Sequence, residues 1–300
     1  MSGDGEPIGL AEFGEQTEGN GQLTFVGEAD KLSWALRSEP GEVRPHNEDF
    51  AGLFVLEGPD AAWDRGPLFV VADGLGGHAA GEVASRVAVQ GMVAAWRDGP
   101  PGPPNQALRA AARAANVAVY DADLERGRQG MGTTLTSLTL AGRDAFIAHV
   151  GDSRAYLVRG RECHQLTSDH SRVGELLRMR LITPEQAASH PARSMLTRSL
   201  GAEGVVQVDL VRQAMEPGDS FVLCSDGLWD SVARAEIAEA VSAAVGPGGA
   251  APADAARALV ELALERKAPD NVTAAVVSVT SDQPIPAASP RRSLFRRGRG

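Results

Sequence analysis

The chain has 300 residues, which is enough for one large domain or two small ones with a substantial buried core. Its 43% apolar and 23% charged residues are ordinary for a soluble globular protein, and its net charge of -10 argues against nucleic-acid binding, which needs a basic surface. No run approaches the ~18–20 consecutive apolar residues of a membrane span, and the acidic start MSGDGEPIGL is unlike a signal peptide. We therefore expect a cytoplasmic protein without stable membrane insertion.

The two ends of the chain differ from its interior. Residues 1–31 hold many Gly and Glu without sustained periodicity, which predicts a disordered segment. Residues 281–300 combine prolines with an arginine-rich end, which predicts a flexible basic tail. A solvated tail is the simpler interpretation, and a weak docking arm for acidic partners is the alternative. The predicted folded domain therefore spans residues 32–280.

Between these ends, short apolar runs alternate with blocks of helical periodicity. Helices are predicted at 82–96, 105–124 and 251–266. The predicted strands are 50–56, 68–72, 135–140, 145–150, 155–158, 205–211, 220–224 and 272–279. Because single helices do not alternate with single strands, a doubly wound parallel sheet is disfavoured. The order favours mostly antiparallel sheets with helices packed outside them.

Four acidic clusters lie at the ends of predicted strands. At their centres are Asp49, Asp73, Asp226 and Asp270. A single Asp-Gly after a strand is usually a turn, but four clusters can bring carboxylates to one edge, where Gly74 lets a backbone carbonyl approach an ion. Hard divalent cations bind several such oxygens, and two ions sharing a carboxylate can activate water and polarise a phosphoryl group. With the planar guanidinium of Arg44 nearby, the pattern predicts metal-assisted hydrolysis of an anionic ester.

The glycine-rich stretch 74–81 has a second interpretation as a nucleotide-binding loop. It lacks the Lys-Ser/Thr that follows a phosphate loop, and its spacing is not that of the dinucleotide fingerprint. We therefore set this interpretation aside.

Six motifs resemble, in their order, those of the type 2C, metal-dependent protein phosphatases, and most of all the compact bacterial members. They are Arg44-x-x-Asn47-Glu48-Asp49, Ala72-Asp73-Gly74-Leu75-Gly76-Gly77-His78, Met131-Gly132-Thr133-Thr134, His149-Val150-Gly151-Asp152-Ser153-Arg154, Cys224-Ser225-Asp226-Gly227-Leu228-Trp229 and Pro269-Asp270-Asn271-Val272-Thr273. The resemblance covers about residues 32–280. It implies an α+β fold, a four-layer α-β-β-α sandwich of two antiparallel sheets flanked by helices. It also implies Mn²⁺ or Mg²⁺ as cofactor and phosphoserine or phosphothreonine in proteins as substrate.

The resemblance implies which residues hold the ions. Asp73 should bridge two ions while Gly74 offers its carbonyl oxygen. Asp226 and Asp270 should complete this binuclear centre, and Asp49 should ligate directly or through water. A third, weaker ion should bind Asp152 together with Ser194.

It also implies roles for residues that contact the substrate. Arg44 should hold the phosphate, and His78 should protonate the leaving serine or threonine oxygen as the general acid. A solvated turn histidine is the alternative for His78. Asn271 should orient ligands rather than bind an ion, and Trp229 should be a packing residue.

Residues 171–200 resemble the flap that lies beside the active site in bacterial members; we call them the flap segment. The segment carries five arginines, which are Arg172, Arg178, Arg180, Arg193 and Arg198. A solvated surface is the commoner meaning of such a charge run. The alternative hypothesis is that these arginines recruit the phosphate flank of the substrate.

The sequence leaves three functions open. The first is an active protein phosphatase, a monomer whose partners are phosphoproteins made by a serine/threonine kinase. The second is a regulatory module that binds phosphoproteins without turnover, and the third is a hydrolase of small phosphate esters. The presence of all four strand-end aspartates favours the active enzyme.

Overall fold

The structure is a computed structural model that describes residues 9–13, 22–29, 31–56, 65–75, 79–127, 130–245, 251–281 and 285. The described residues form thirteen strands and seven helices. In the first half of the chain these are β1 (Gly9–Phe13), β2 (Leu23–Ala29), β3 (Leu32–Glu39), β4 (Asp49–Leu56), β5 (Leu68–Leu75), α1 (Ala79–Asp98), α2 (Pro104–Glu125), β6 (Gly132–Thr133), β7 (Leu135–Ala141) and β8 (Asp144–Val150). In the second half they are β9 (Arg154–Arg159), β10 (Glu162–Gln165), α3 (Arg172–Arg178), α4 (Pro184–Ala188), β11 (Asp209–Ala214), β12 (Ser220–Cys224), α5 (Asp226–Trp229), α6 (Arg234–Val245), α7 (Pro252–Glu265) and β13 (Val272–Val279).

The strands form two antiparallel sheets. Sheet A has the order β1-β4-β5-β7-β8-β11, with the short β6 paired to β5, and sheet B has the order β10-β9-β12-β13-β3-β2. Every pair within these described strands is antiparallel.

Three apolar layers hold the sheets and helices together. The first lies between sheet A and the helices α1 and α2, the second between the two sheets, and the third between sheet B and the helices α6 and α7. Strand β5 shows how the pattern builds them, because Val70 enters the first layer while Phe69 and Val71 enter the second. The predicted four-layer α-β-β-α sandwich is confirmed.

Two local predictions differ from the structure. The disorder predicted for residues 1–31 is wrong for 9–13 and 23–29. Strand β1 pairs with β4, and β2 pairs with β3 along its length and buries Leu23 against the first layer. The edge strand β2 is short and mixes polar with apolar residues, so its sequence does not form the continuous apolar run that predicts a strand. The strand predicted at 205–211 instead begins at Asp209 as β11.

The C-terminal tail is described only in part. Ile285 is buried and forms an isolated bridge with Gly142, with N···O distances of 2.9 Å and 2.8 Å. The arginine-rich end predicted to be a flexible tail lies outside the described residues. No helix among the described residues is long and apolar enough to cross a membrane.

Candidate active site

The predicted strand-end aspartates meet at one edge of the sandwich. Asp49 opens β4 directly opposite Asp73 on β5, in the middle of sheet A. Asp226 opens α5 just after β12, and Asp270 precedes β13, so both come from neighbouring strands in the middle of sheet B. Antiparallel pairing thus brings strand starts and strand ends to the same edge.

The carboxylates of this edge repel one another. Burial, and then repulsion by Asp226, Asp49, Asp152 and Asp270, holds the pKa of Asp73 well above its ordinary value, although Asp73 keeps some exposed surface and solvent moderates the effect. Burial followed by repulsion from Asp270 raises the pKa of Asp226 to about 6. Burial followed by repulsion from Asp226 raises that of Asp152 to about 7.

This electrostatic pattern fits divalent cations. Oxygen-rich carboxylate sets suit Mg²⁺ and Mn²⁺, and cations would remove the repulsion that raises these pKa values. Across the described residues, however, no group of three or more His, Cys, Asp or Glu side chains is already arranged to hold an ion.

Asp49 is the most tightly held member of this set. It is 3% exposed, and its Oδ2 accepts hydrogen bonds from the hydroxyls of Ser225 and Thr273, each at 2.6 Å. Burial raises its pKa to about 7 in spite of these two hydrogen bonds. Ser38 lies 2.7 Å from the Thr273 hydroxyl and accepts from the Asn47 amide at 2.9 Å. Because each hydroxyl has one hydrogen, the chain of bonds runs from Asn47 to Asp49 and ends on an unprotonated Oδ2.

The backbone around Asp73 is fixed by β6 and the residue after it. The Asp73 amide donates to Thr134 Oγ1 at 2.9 Å, and the Asp73 carbonyl accepts from the Thr133 hydroxyl at 2.7 Å and the Thr134 amide at 2.9 Å. Gly74 follows in a place that only glycine fits, because a Cβ there would lie 2.2 Å from the Gly81 carbonyl oxygen. These threonines therefore have a structural role, because they fix the backbone that presents the Asp73 carboxylate.

Arg44 lies at the solvent side of the same edge. Its Nη2 donates to Asp270 Oδ2 at 2.7 Å, and its side chain is 45% exposed. The guanidinium therefore binds one of the predicted ligands, within reach of solvent. Asn271 is fully bonded: it accepts from the Glu48 amide at 2.8 Å and donates to the carbonyls of Pro40 and His46. It organises the loop that carries Arg44, as an orienting residue would.

Asp152 lies next to the other carboxylates in a loop held on several sides. Its carbonyl accepts from the Trp229 indole at 3.0 Å, so Trp229 does more than pack. Ser153 Oγ lies 2.7 Å from Thr134 Oγ1, and Gly151 has φ +109° at a place where a Cβ would lie 2.6 Å from the Thr134 side chain. The loop that presents Asp152 is thus anchored to Thr134, which also bonds the backbone of Asp73.

The described structure leaves the roles of two predicted site residues untested. His78 lies outside the described residues, so its role stays a prediction. Ser194 is exposed on the flap segment, and its neighbour Arg193 forms an ion pair with Asp230, one residue beyond α5. Its place beside Asp152 likewise stays a prediction.

Most of the flap arginines have partners within the protein. Arg193 pairs with Asp230, Arg198 with Asp209 at 2.7 Å and Arg172 with Glu175 at 3.7 Å, while Arg178 donates to the Asp169 carbonyl at 2.8 Å. These bonds favour an anchoring role over direct capture of substrate phosphate.

Comparison with known proteins identifies the family. The protein phosphatase 2C family matches residues 60–265. The chain belongs to this family.

Individual phosphatase 2C relatives cover most of the described fold. The serine/threonine protein phosphatase PstP of Mycobacterium tuberculosis is 40% identical over 249 residues, which are 83% of this chain and 45% of PstP. This chain thus spans less than half the length of that relative. Protein phosphatase PhpP of Streptococcus pneumoniae is 35% identical over 251 residues, which are 83% of this chain and 98% of PhpP.

A solved structure adds the cofactor of a relative. The catalytic domain of PstP in complex with two manganese ions matches with a TM-score of 0.70 and 37% identity, covering 84% of this chain and 99% of that domain. The family match and this manganese complex support metal dependence.

The sequence did not reveal three hydroxyl residues of this phosphatase 2C site. Ser38 and Thr273 belong to the hydrogen-bond chain that ends on Asp49, and Ser225 donates separately to the same Oδ2. Ser225 and Thr273 each lie within three residues of a predicted ligand in the motifs. The sequence shows hydroxyl residues close to strand-end aspartates, but it does not show which carboxylate accepts their hydrogen bonds.

Proposed function

We propose that this phosphatase 2C chain hydrolyses phosphoserine and phosphothreonine in proteins, reversing the action of a serine/threonine kinase. The single observation that carries the proposal is the convergence of Asp49, Asp73, Asp226 and Asp270 at one edge with raised pKa values among them. Such a set is costly without cations and suited to holding them. The names of the relatives support the substrate class.

We assign the cation site to these carboxylates and the Gly74 carbonyl. Asp73 is placed centrally, since it interacts with each of the other carboxylates, and it would be shared by two Mn²⁺ or Mg²⁺ ions. Asp152, with Ser194, would hold a weaker third ion. Bound cations would supply a nucleophilic water and withdraw charge from the phosphoryl oxygens.

Two side chains would act on the substrate directly. Arg44 would exchange the Asp270 carboxylate for a substrate phosphate; its planar fork matches either anion and its side chain reaches solvent, which supports this role. His78 would donate the proton that the leaving serine or threonine oxygen needs. We further propose that residues 32–280, together with the edge strands β1 and β2 that precede them, form the catalytic domain and that the enzyme works as a cytoplasmic monomer.

The test is phosphate release from a phosphothreonine peptide. Wild-type protein should release phosphate with Mn²⁺, lose this activity with a chelator, and lose it in Asp73→Asn. Binding of Mn²⁺ and phosphopeptide without any release would overturn the proposal and favour the regulatory module. A kcat/KM for p-nitrophenyl phosphate above that for the peptide would favour the small-ester hydrolase instead.

A further inference from the structure

The two ends of the flap segment are joined at its base. The Arg172 amide donates to the Met195 carbonyl and the Thr197 amide donates to the His170 carbonyl, each at 2.8 Å. This short antiparallel bridge places Arg198, near the segment's end, beside His170, the residue just before its start. The hydrogen bonds next to His170 therefore hold the flap segment at its base.

The imidazole of His170 bonds two different parts of the molecule. Its Nδ1 accepts from the Gly151 amide at 3.0 Å, and its Nε2 lies 3.1 Å from Asp209 Oδ2. Because Nδ1 accepts from an amide, the neutral ring carries its hydrogen on Nε2 and donates it to Asp209, so Arg198 Nη1, which lies 3.0 Å from Nε2, donates to Asp209 rather than to the ring. Asp209 Oδ1 in turn accepts from Arg198 Nη1 at 2.7 Å. One nitrogen thus faces the Asp152 loop, and the other faces the flap segment.

Because His170 is buried, water cannot easily take the place of its hydrogen-bond partners. The His170 side chain is 2% exposed, and burial lowers its pKa, which keeps the ring in the neutral form that the two bonds require. The His170 amide also donates to the Gly151 carbonyl at 2.7 Å. Gly151 is therefore bonded to His170 through both its amide and its carbonyl, immediately before Asp152.

We propose that His170 is a positioning residue that couples the flap segment to the Asp152 carboxylate, through Asp209 and Arg198 on one side and Gly151 on the other. The inference rests on the proposed function, in which Asp152 holds a weaker cation. Its consequence is that the flap position and the affinity of the Asp152 cation site change together. Loss of either half of the link should affect one side alone.

The isosteres of histidine separate the two halves. In His170→Asn the amide oxygen takes the place of Nδ1 and keeps the Gly151 bond, while the Asp209 bond is lost. In His170→Gln the amide nitrogen takes the place of Nε2 and keeps the Asp209 bond, while the Gly151 bond is lost. Each variant keeps one of the two polar positions of the ring and loses the other, so each is the matched control of the other. Thermal unfolding establishes that both fold.

Two measurements that do not need turnover report the two sides. Trypsin cleavage within residues 171–200 reports flap release, and calorimetric titration with Mn²⁺ reports the weakest cation site. Because Ser194 on the flap segment is itself a proposed ligand of this ion, the His170 variants are compared in a Ser194→Ala background, where the flap no longer contacts the ion directly. There, His170→Asn should be cleaved about three to ten times faster with unchanged Mn²⁺ affinity, as loss of one hydrogen bond predicts. His170→Gln should lose about three- to tenfold in the weakest Mn²⁺ affinity with unchanged cleavage.

The coupling is supported if His170→Asn changes only the cleavage rate, His170→Gln changes only the Mn²⁺ affinity, and His170→Ala changes both. Equal changes in Asn and Gln variants would show general destabilisation, and no change in either would show that the link is silent; both results overturn the inference. Phosphate release by wild type and its loss in Asp73→Asn are measured alongside. The proposed function can therefore fail or hold independently of the coupling.

Discussion

Two clusters of ionisable side chains lie close together in this phosphatase 2C, and burial shifts their pKa values in opposite directions. His149 and His170 stack with their ring centroids 4.8 Å apart, and burial lowers the pKa of both, that of His149 to about 3. The strand-end carboxylates instead have raised pKa values, about 7 for Asp49 and about 6 for Asp226.

The difference lies in how each cluster is satisfied. His149 bonds the Thr136 hydroxyl at 3.0 Å and the Ser168 carbonyl at 3.2 Å, so a neutral ring has a partner for each nitrogen. The carboxylates have hydroxyl and amide donors but too little positive charge, since the Arg44 guanidinium reaches only Asp270 among them at 2.7 Å. The protein alone supplies the hydrogen-bond partners that the neutral histidines need, whereas the carboxylates need cations to compensate their charge.

The largest expected effect comes from neutralising one carboxylate. Asp226→Asn should lower Mn²⁺-dependent phosphopeptide hydrolysis at least roughly a hundredfold, as expected when electrostatic stabilisation of the transition state is lost. Without metal, the same variant should unfold at a higher temperature, because one repelling charge is gone. Thermal unfolding in chelator measures this second effect.

Asp144→Asn is the matched control for that change. Asp144 lies outside the carboxylate edge and pairs with Arg212 at 2.7 Å. Its neutralisation should leave hydrolysis intact and should not raise the unfolding temperature. A lower metal-free unfolding temperature in Asp226→Asn would contradict the account of the edge given above.

A smaller effect tests the hydroxyl chain on Asp49. Thr273→Val removes a donor to a buried carboxylate, so the free energy of unfolding should fall by about 1.5–3 kcal/mol, the range for hydrogen bonds to charged groups. Ser278→Ala on the same strand removes a hydroxyl pair with Ser220, 2.9 Å apart, and should lose about 0.5–1.5 kcal/mol. Denaturant unfolding of the metal-free proteins measures both. Equal losses would mean that Oδ2 of Asp49 carries no charge.

The smallest effect is a difference in pH dependence between the clusters. The folded pKa of Asp49 and Asp152, about 7, lies above the ~3.9 of an unfolded Asp, so raising the pH through 7 removes stability from the metal-free protein. The folded pKa of His149, about 3, lies below the ~6.5 of an unfolded His. Lowering the pH through about 6.5 therefore removes the stability that neutral His149 contributes.

His149→Gln isolates the histidine part of this dependence. The variant keeps a neutral amide in place of the ring and takes up no proton on unfolding. Its stability deficit relative to wild type should therefore narrow by roughly 1–2 kcal/mol between about pH 7 and pH 5. Denaturant unfolding at the two pH values measures this difference in the free energy of unfolding. A difference that stays constant would show that His149 does not cause the loss of stability at acid pH.

The sequence by itself determined the elements whose patterns are local. The strands near 68–72, 135–140 and 220–224 and the helices near 105–124 and 251–266 could be predicted because each element repeats its apolar residues with its own period. The acidic clusters could be placed at strand ends for the same reason. The family resemblance then supplied the fold and the substrate class.

Only the tertiary structure decided how those clusters are completed. Asp49 accepts its hydrogen bonds from Ser225 and Thr273, which are 176 and 224 positions away in the chain. The flap arginines Arg193 and Arg198 end in ion pairs rather than free for substrate, because their partners come from outside the flap segment. Burial, charge repulsion and the choice of hydrogen-bond partner all depend on which distant strands lie side by side, and no local pattern encodes that.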